Sequence, residues 1–176
     1  MNPVVIKQKS TSRDYFNLPE GIPYQLINGQ LIKSPSPVSL HQRTLLKLVE
    51  ELGATIKKSN SGELFISTLD VYFEEENVFQ PDIFFIAKDN TAHTDDHAWV
   101  RGVPDLIIEI LSPSNAYYDM QKKMRVYEKY AVKEYFIVDP EDKMVTAYAL
   151  VAGKYKEQYR EEGKIQSSLL ACEFQF

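Results

Sequence analysis

Apolar residues follow two rhythms along this chain. Over residues 39–57 they recur at helical spacing. Leu45, Leu48, Leu52 and Ile56 stand three or four apart and make one face, which His41 extends toward its N-terminal end. Elsewhere the rhythm is that of strands. Residues 24–27 and 30–32 flank Asn28-Gly29, two residues that tolerate positive φ, so a tight hairpin is predicted. Residues 64–73 and 78–86 read as two strands joined by the acidic turn Glu74-Glu75-Glu76-Asn77, and residues 88–103 read as a polar loop. Residues 106–111 (Leu-Ile-Ile-Glu-Ile-Leu) are too apolar for a half-exposed strand and predict a central one covered on both faces.

Ser112-Pro113-Ser114-Asn115 carries helix-start chemistry. A helix to about residue 131 is expected after it, with Tyr117, Met120, Met124, Tyr127 and Ala131 on one face. Residues 135–138 make another buried strand, closed by Asp139-Pro140. Residues 144–150 and 154–159 suit a hairpin around Gly153. Near the N-terminus, Thr11 or Ser12 suits the cap of a short helix through Phe16. Strand, helix, strand across 104–138 is a βαβ-like unit between antiparallel hairpins. The sum is an α/β fold, a mixed β-sheet flanked by helices.

Three side chains stand out against this pattern. Glu109 interrupts the most apolar strand, and an uncompensated carboxylate there costs several kcal/mol or more. It needs a cation, a Lys or Arg, a bound metal, or a proton. Asp82 follows Pro81 at the threshold of the apolar run Ile83-Phe84-Phe85-Ile86. Its 27-residue separation from Glu109 fits neighbouring strands, where two carboxylates repel and a divalent cation relieves the repulsion. Lys123 lies on the next helix in a stripe with Asp119 and Tyr127, spaced i, i+4, i+8. That stripe borders the apolar face, so Lys123 points toward the sheet, whereas Lys122, Arg125 and Lys129 face water. Two acids and a lysine are suited to phosphodiester hydrolysis: the acids hold a Mg²⁺-type ion, and the lysine stabilises developing charge.

Plainer roles exist for each. Glu109 and Lys123 also make sense as a purely structural pair. Asp82 also fits a strand-start cap, and Lys123 a side chain that snorkels from an apolar face. His41 suits a packing histidine as well as an accessory site residue. His93, Asp95, Asp96 and His97 sit in a polar loop and read as solvated surface. Asp105 repeats the Pro-Asp pair of Asp82 but stands at the start of its strand, away from Glu109. Nothing in the pattern fixes the direction of Asp70.

At 176 residues the chain fits one domain, 1–176. Cys172 is its only cysteine, which excludes an internal disulfide framework and a cysteine-rich zinc site. Its start lacks the apolar run of a signal peptide, and no stretch approaches a membrane span, so a cytoplasmic location is expected. The net charge of −5 counts against broad nonspecific binding to nucleic acid but leaves room for a local basic patch.

Gln80-Pro81-Asp82-Ile83, the run from Pro104 through Glu109 to Ser114, then Asp119, Lys123, Tyr127 and the run from Tyr135 to Pro140 resemble the Uma-two family. That family consists of restriction-endonuclease-like proteins within the PD-(D/E)XK nuclease superfamily, and the resemblance runs from about residue 24 to residue 140. It implies a restriction-endonuclease-like fold and a Mg²⁺- or Mn²⁺-dependent site that cleaves DNA, with Asp82, Glu109 and Lys123 as its residues. The lysine expected two places after the acid is replaced by Leu111, and Lys123 takes its part from the helix. Such nucleases often act as homodimers. Where the family reads Tyr-Glu-Leu-Ile-Asp-Gly-Glu, this chain has Gln25, Asn28 and Gln30 in place of the acids. Gln30 stands where the family often supplies a further site carboxylate, and an amide ligates a metal more weakly. The alternative implied is a catalytically impaired nuclease fold that binds nucleic acid or a protein partner.

Overall fold

The computed structural model describes residues 9–19, 21–34, 36–92, 99–112 and 118–176. Helix α1 (Ser12–Phe16) begins with a capping box: Thr11 and Asp14 each accept a hydrogen bond from the other's backbone N–H. Strands β1 (Tyr24–Ile27) and β2 (Gln30–Lys33) form the expected hairpin, with Asn28 at φ 50° and Gly29 at φ 74°. Helix α2 (Ser39–Ser59) buries Leu45, Leu48, Leu52 and Ile56 together with His41. No helix among the described residues is long and apolar enough to cross a membrane.

The two strands expected over 64–73 and 78–86 are four. Strand β3 (Gly62–Ile66) and β4 (Val71–Glu74) lie in different sheets, and so do β5 (Asn77–Phe79) and β6 (Ile83–Ala87). Inside-outside alternation cannot reveal such a change, because both sheets bury a face here. The second break coincides with Pro81, which has no N–H to give a ladder. The two crossovers are bonded together, the Ser67 N–H donating to the Asp82 carbonyl at 3.0 Å. The loop expected over 88–103 contains a short strand, β7 (Val100–Arg101), parallel to β4.

Strand β8 (Leu106–Ile110) is buried throughout and runs antiparallel to β6 and parallel to β9 (Glu134–Val138). Between β8 and β9 the chain forms a π-helix (Tyr118–Lys123) that becomes helix α3 (Met124–Lys129). This departs from the continuous helix expected. Residues of a π-helix advance through a smaller angle than those of an α-helix, so the face turns at the junction. Met120, placed by α-helical spacing on the buried face, is exposed, while Val126 is buried; Ala131, exposed too, stands beyond the end of α3 at φ 63°. Strands β10 (Met144–Val151) and β11 (Lys154–Glu162) form the expected hairpin, and β12 (Lys164–Ser167) pairs with β13 (Cys172–Gln175).

Among the described residues, one sheet has the order β11-β10-β9-β8-β6-β3 and the other β2-β1-β5-β4-β7. Helix α2 covers one face of the first, where Leu45, Leu48 and Leu52 meet Ile83, Leu106, Ile108 and Phe136. The other face meets the second sheet and α3 through Phe73, Phe79, Phe84, Ile107, Tyr127 and Tyr135. Strand β8 is therefore covered on both sides, as its composition requires.

Asp105 locks the starting end of β8. Its Oδ2 accepts from the Ala87 N–H at 2.8 Å and Asn90 Nδ2 at 2.6 Å, and its Oδ1 pairs with Lys133 at 2.7 Å. Burial pushes its carboxyl upward, but Lys133, the Ala87 amide and Asn90 outweigh it and hold the group below the ordinary value of 3.8. A depressed carboxyl contributes its stability in full above 3.8 and loses it as pH falls through the folded-state value. Asp105→Ala should therefore lower the stability measured by urea unfolding at neutral pH by about 2–4 kcal/mol. The deficit should shrink in acid, below the ordinary carboxylate range.

Candidate active site

Glu109 lies near the exit of β8 with its side chain on the α3 face, 2% exposed. Lys123 Nζ donates to its Oε1 at 2.9 Å, and the Tyr127 hydroxyl donates to the same oxygen at 2.6 Å. All three side chains are buried. The need for compensation read from the strand is thus met by one ammonium and one phenol. The Tyr127 ring is held by Phe73, Phe79 and Tyr135, with centroids at 5.5, 5.7 and 5.1 Å. Lys123 is the last π-helical residue and Tyr127 follows one α-turn later, which sets both on the inward face.

Asp82 approaches from β6. The β6–β8 register sets Ile83 opposite Ile108, so one further step would set Asp82 opposite Glu109. Asp82 instead stands in the bend before β6. Its Oδ2 accepts the Ile110 N–H at 2.8 Å and meets His41 Nε2 at 3.2 Å. Ile110 is the residue after Glu109, so the two acids share one short stretch of β8. Both contacts of Asp82 fall on Oδ2, and among the described residues nothing meets its Oδ1. Its side chain is 17% exposed, against 2% for Glu109, so Asp82 is the more open of the two acids. His41 reaches it from the first turn of α2, buried on the face opposite α3.

A second layer of hydrogen bonds fixes the peptide that leads to Asp82. Gln25 is buried; its Oε1 accepts the Gln80 N–H at 2.9 Å and its Nε2 donates to Ser34 Oγ at 2.9 Å. The Gln80 side chain donates to Asp70 Oδ1 at 2.9 Å, and the Tyr15 hydroxyl donates to the same oxygen at 2.7 Å. Burial, then the carboxylate of Asp70, drive the Tyr15 phenol far above its ordinary range, so it stays a neutral donor.

Of the residues singled out in the sequence, Glu109 and Lys123 meet directly on the α3 face, Asp82 and His41 meet directly from the α2 side, and the amide of Ile110, the residue after Glu109, bonds Asp82. Gln30 stands apart: its side chain is exposed and accepts from Lys122 Nζ at 3.4 Å. Asp105 belongs to the opposite end of β8. Lys129 pairs with Glu74 at 2.9 Å, and Arg125 is exposed. His93, Asp95, Asp96 and His97 lie outside the described residues, as does the side chain of Asp119. Sequence reasoning set Tyr127 in the core and missed its bond to Glu109, although its i+4 spacing from Lys123 carried the signal. Gln25, Gln80 and Tyr15 left no local signal, since their partners are distant in the chain.

A crystal structure of "a putative nuclease belonging to DUF820" from Anabaena variabilis superposes with a TM-score of 0.75 at 21% identity, covering 92% of this chain and 90% of that one. The fold is thus the restriction-endonuclease-like α/β arrangement. An uncharacterized protein of Synechocystis sp., sll1609, is 29% identical over 117 residues, which span 65% of each chain, a little under two thirds of that relative's length. A family model described as "Putative restriction endonuclease" matches residues 12–176, which takes in both crossovers, β8, the π-helix and the C-terminal hairpin, and the chain therefore belongs to that family, Uma2.

Proposed function

We propose that the protein is a metal-dependent endonuclease that hydrolyses phosphodiester bonds of DNA. Asp82 and Glu109 are its metal-binding carboxylates, and Lys123 is the cation that acts on the phosphate. The observation that carries this reading is the buried Glu109–Lys123 pair, set one residue from the amide that holds Asp82. Family membership supports it.

The donor set fits a hard divalent cation. Both acids offer oxygen, and Mg²⁺ is commonly held by one or two carboxylates with water completing its shell. Among the described residues no group of three or more His, Cys, Asp or Glu stands ready to hold a metal, so water and substrate oxygen would have to complete the shell of an ion held by the two acids. When bound, such an ion polarises a phosphate oxygen and makes a bound water more acidic.

The chain's own groups do the remaining work. The Ile110 amide and His41 hold Oδ2 of Asp82, which leaves Oδ1 as the oxygen to offer an ion. Lys123 supplies a full positive charge where negative charge builds on the phosphate oxygens, in surroundings that screen it less than water does. Gln25 ties the peptide before Asp82 to Ser34 and so keeps the carboxylate in register. The amides that depart from the family pattern thereby have local roles: Gln25 bridges two segments, and Asn28 takes the left-handed turn position.

Plasmid DNA incubated with Mg²⁺ or Mn²⁺ should be nicked or linearised, and a chelator should abolish the reaction. Asp82→Ala and Glu109→Gln should reduce the rate below detection, and Lys123→Ala should reduce it by about 10²–10³-fold. Cleavage that persists in the two acid variants defeats the assignment. Gln25→Ala strands the buried Gln80 N–H, so it should cost about 1–3 kcal/mol in urea unfolding and weaken Mn²⁺ binding in calorimetry.

A further inference from the structure

We propose that Tyr127 is a positioning residue that keeps Glu109 satisfied while Lys123 leaves it for the substrate phosphate. The proposal rests on the endonuclease reading and adds a division of labour within its buried triad.

Lys123 and Tyr127 donate to the same oxygen, Oε1 of Glu109, at 2.9 and 2.6 Å. A carboxylate oxygen has two lone pairs and accepts both donors at once. The two donors differ in freedom. Tyr127 is fully buried, wedged edge-on against Phe79 and Tyr135 and tilted against Phe73. Its hydroxyl cannot travel unless the ring leaves its aromatic surround. Lys123 ends a four-carbon stem and sits where the π-helix passes into α3, so its ammonium is the donor able to move.

A lysine that neutralises a buried carboxylate is poorly placed to serve a phosphate as well. Withdrawal of a lone donor would strip that oxygen of its hydrogen bond, which is costly for a buried carboxylate even where an ion offsets its charge. With Tyr127 already bonded to Oε1, the carboxylate keeps one strong donor when Lys123 turns away, and the move becomes cheaper. The phenol is a short-range donor to a charged acceptor, among the stronger hydrogen bonds available to a neutral group. Removing it should tighten the grip of Glu109 on Lys123.

Tyr127→Phe isolates the effect, because the ring stays among Phe73, Phe79 and Tyr135 and only the hydroxyl is lost. Single-turnover cleavage of plasmid DNA with Mn²⁺ should slow by about tenfold or more, while the Mn²⁺ dissociation constant from calorimetry stays within about threefold of wild type. Reductive methylation followed by peptide mass spectrometry gives a readout that needs no activity. Lys123, measured against Lys122 as internal reference, should be labelled about threefold more slowly in the variant.

A cleavage rate within about twofold of wild type, unchanged or faster labelling of Lys123, or Mn²⁺ affinity that falls in step with the rate overturns the proposal. Lys123→Arg provides a second test should the phenylalanine variant fail to fold. A guanidinium fork holds a carboxylate more rigidly, so this variant should bind Mn²⁺ yet cut slowly, and a wild-type rate from it also overturns the proposal. If the wild type neither cuts DNA nor binds Mn²⁺, the endonuclease reading falls on its own. The labelling arm then still decides whether Tyr127 loosens Lys123.

Discussion

A carboxylate in the middle of an apolar strand dictates what may stand around it. Glu109 is buried on β8 between two sheets and α3, where an unpaired charge would cost more than a single good contact returns. The surroundings meet this demand from one segment, since Lys123 and Tyr127 are a helical turn apart and both donate to Oε1. The position of α3 on the sheet is therefore tied to an electrostatic requirement as well as to apolar contact. Val126 and Tyr127 supply the apolar part, and Lys123 is carried inward with them. Met120 is left in water as the π-helix turns its face away.

The other half of the site depends on a topological device. The chain leaves the larger sheet after β3, visits the smaller sheet for β4 and β5, and returns at β6. Asp82 stands at the point of return. A residue there is beyond the ladder, so its side chain can take a backbone amide as acceptor, as Asp82 does with Ile110. The bond between Ser67 and the Asp82 carbonyl joins the outward and returning passages. Gln25 and Gln80 secure the same junction from the hairpin side. Asp82 is thus held by three different segments, which suits a group whose placement has to be reproducible.

Much of this was legible in the sequence where one residue's neighbours are local. The Asn-Gly hairpin, the amphipathic α2, the doubly covered β8 and the pairing of Glu109 with a lysine on the next helix all follow from spacing or composition. The sheet changes after Ile66 and Phe79 are not legible, because alternation reports inside against outside and not which sheet a strand joins; Phe79 is fully buried and Ile66, equally apolar, ends its strand exposed. The π-helix is hidden too, since α-helical spacing cannot register it, and Met120 is misplaced with it; Ala131 is misplaced because α3 ends at Lys129. The C-terminal hairpin β12–β13 had no clear signal. It is anchored by Glu134, which accepts from Ser167 Oγ at 2.5 Å and from the Leu169 N–H at 2.9 Å. Gln25 bonds to a residue 55 positions away, and no pattern in the chain announces such a partner.

The two Pro-Asp pairs separate support from chemistry better than any motif does. Asp82 and Asp105 both follow proline and both enter the six-stranded sheet. Asp105 has both oxygens engaged, by Lys133 on one side and by the Ala87 amide and Asn90 on the other. A carboxylate so occupied has nothing left to offer a ligand, and its depressed pKa measures only how firmly it is held. Asp82 concentrates both of its contacts on Oδ2 and keeps a partly open side chain. Of the two it is the incompletely used acid, near the exit of β8 where Glu109 and Lys123 meet. Local sequence cannot make this distinction, because it lies in which strand supplies the neighbouring amide. Ala87 closes one carboxylate off with help from Asn90 and Lys133, while Ile110 orients the other through Oδ2 alone.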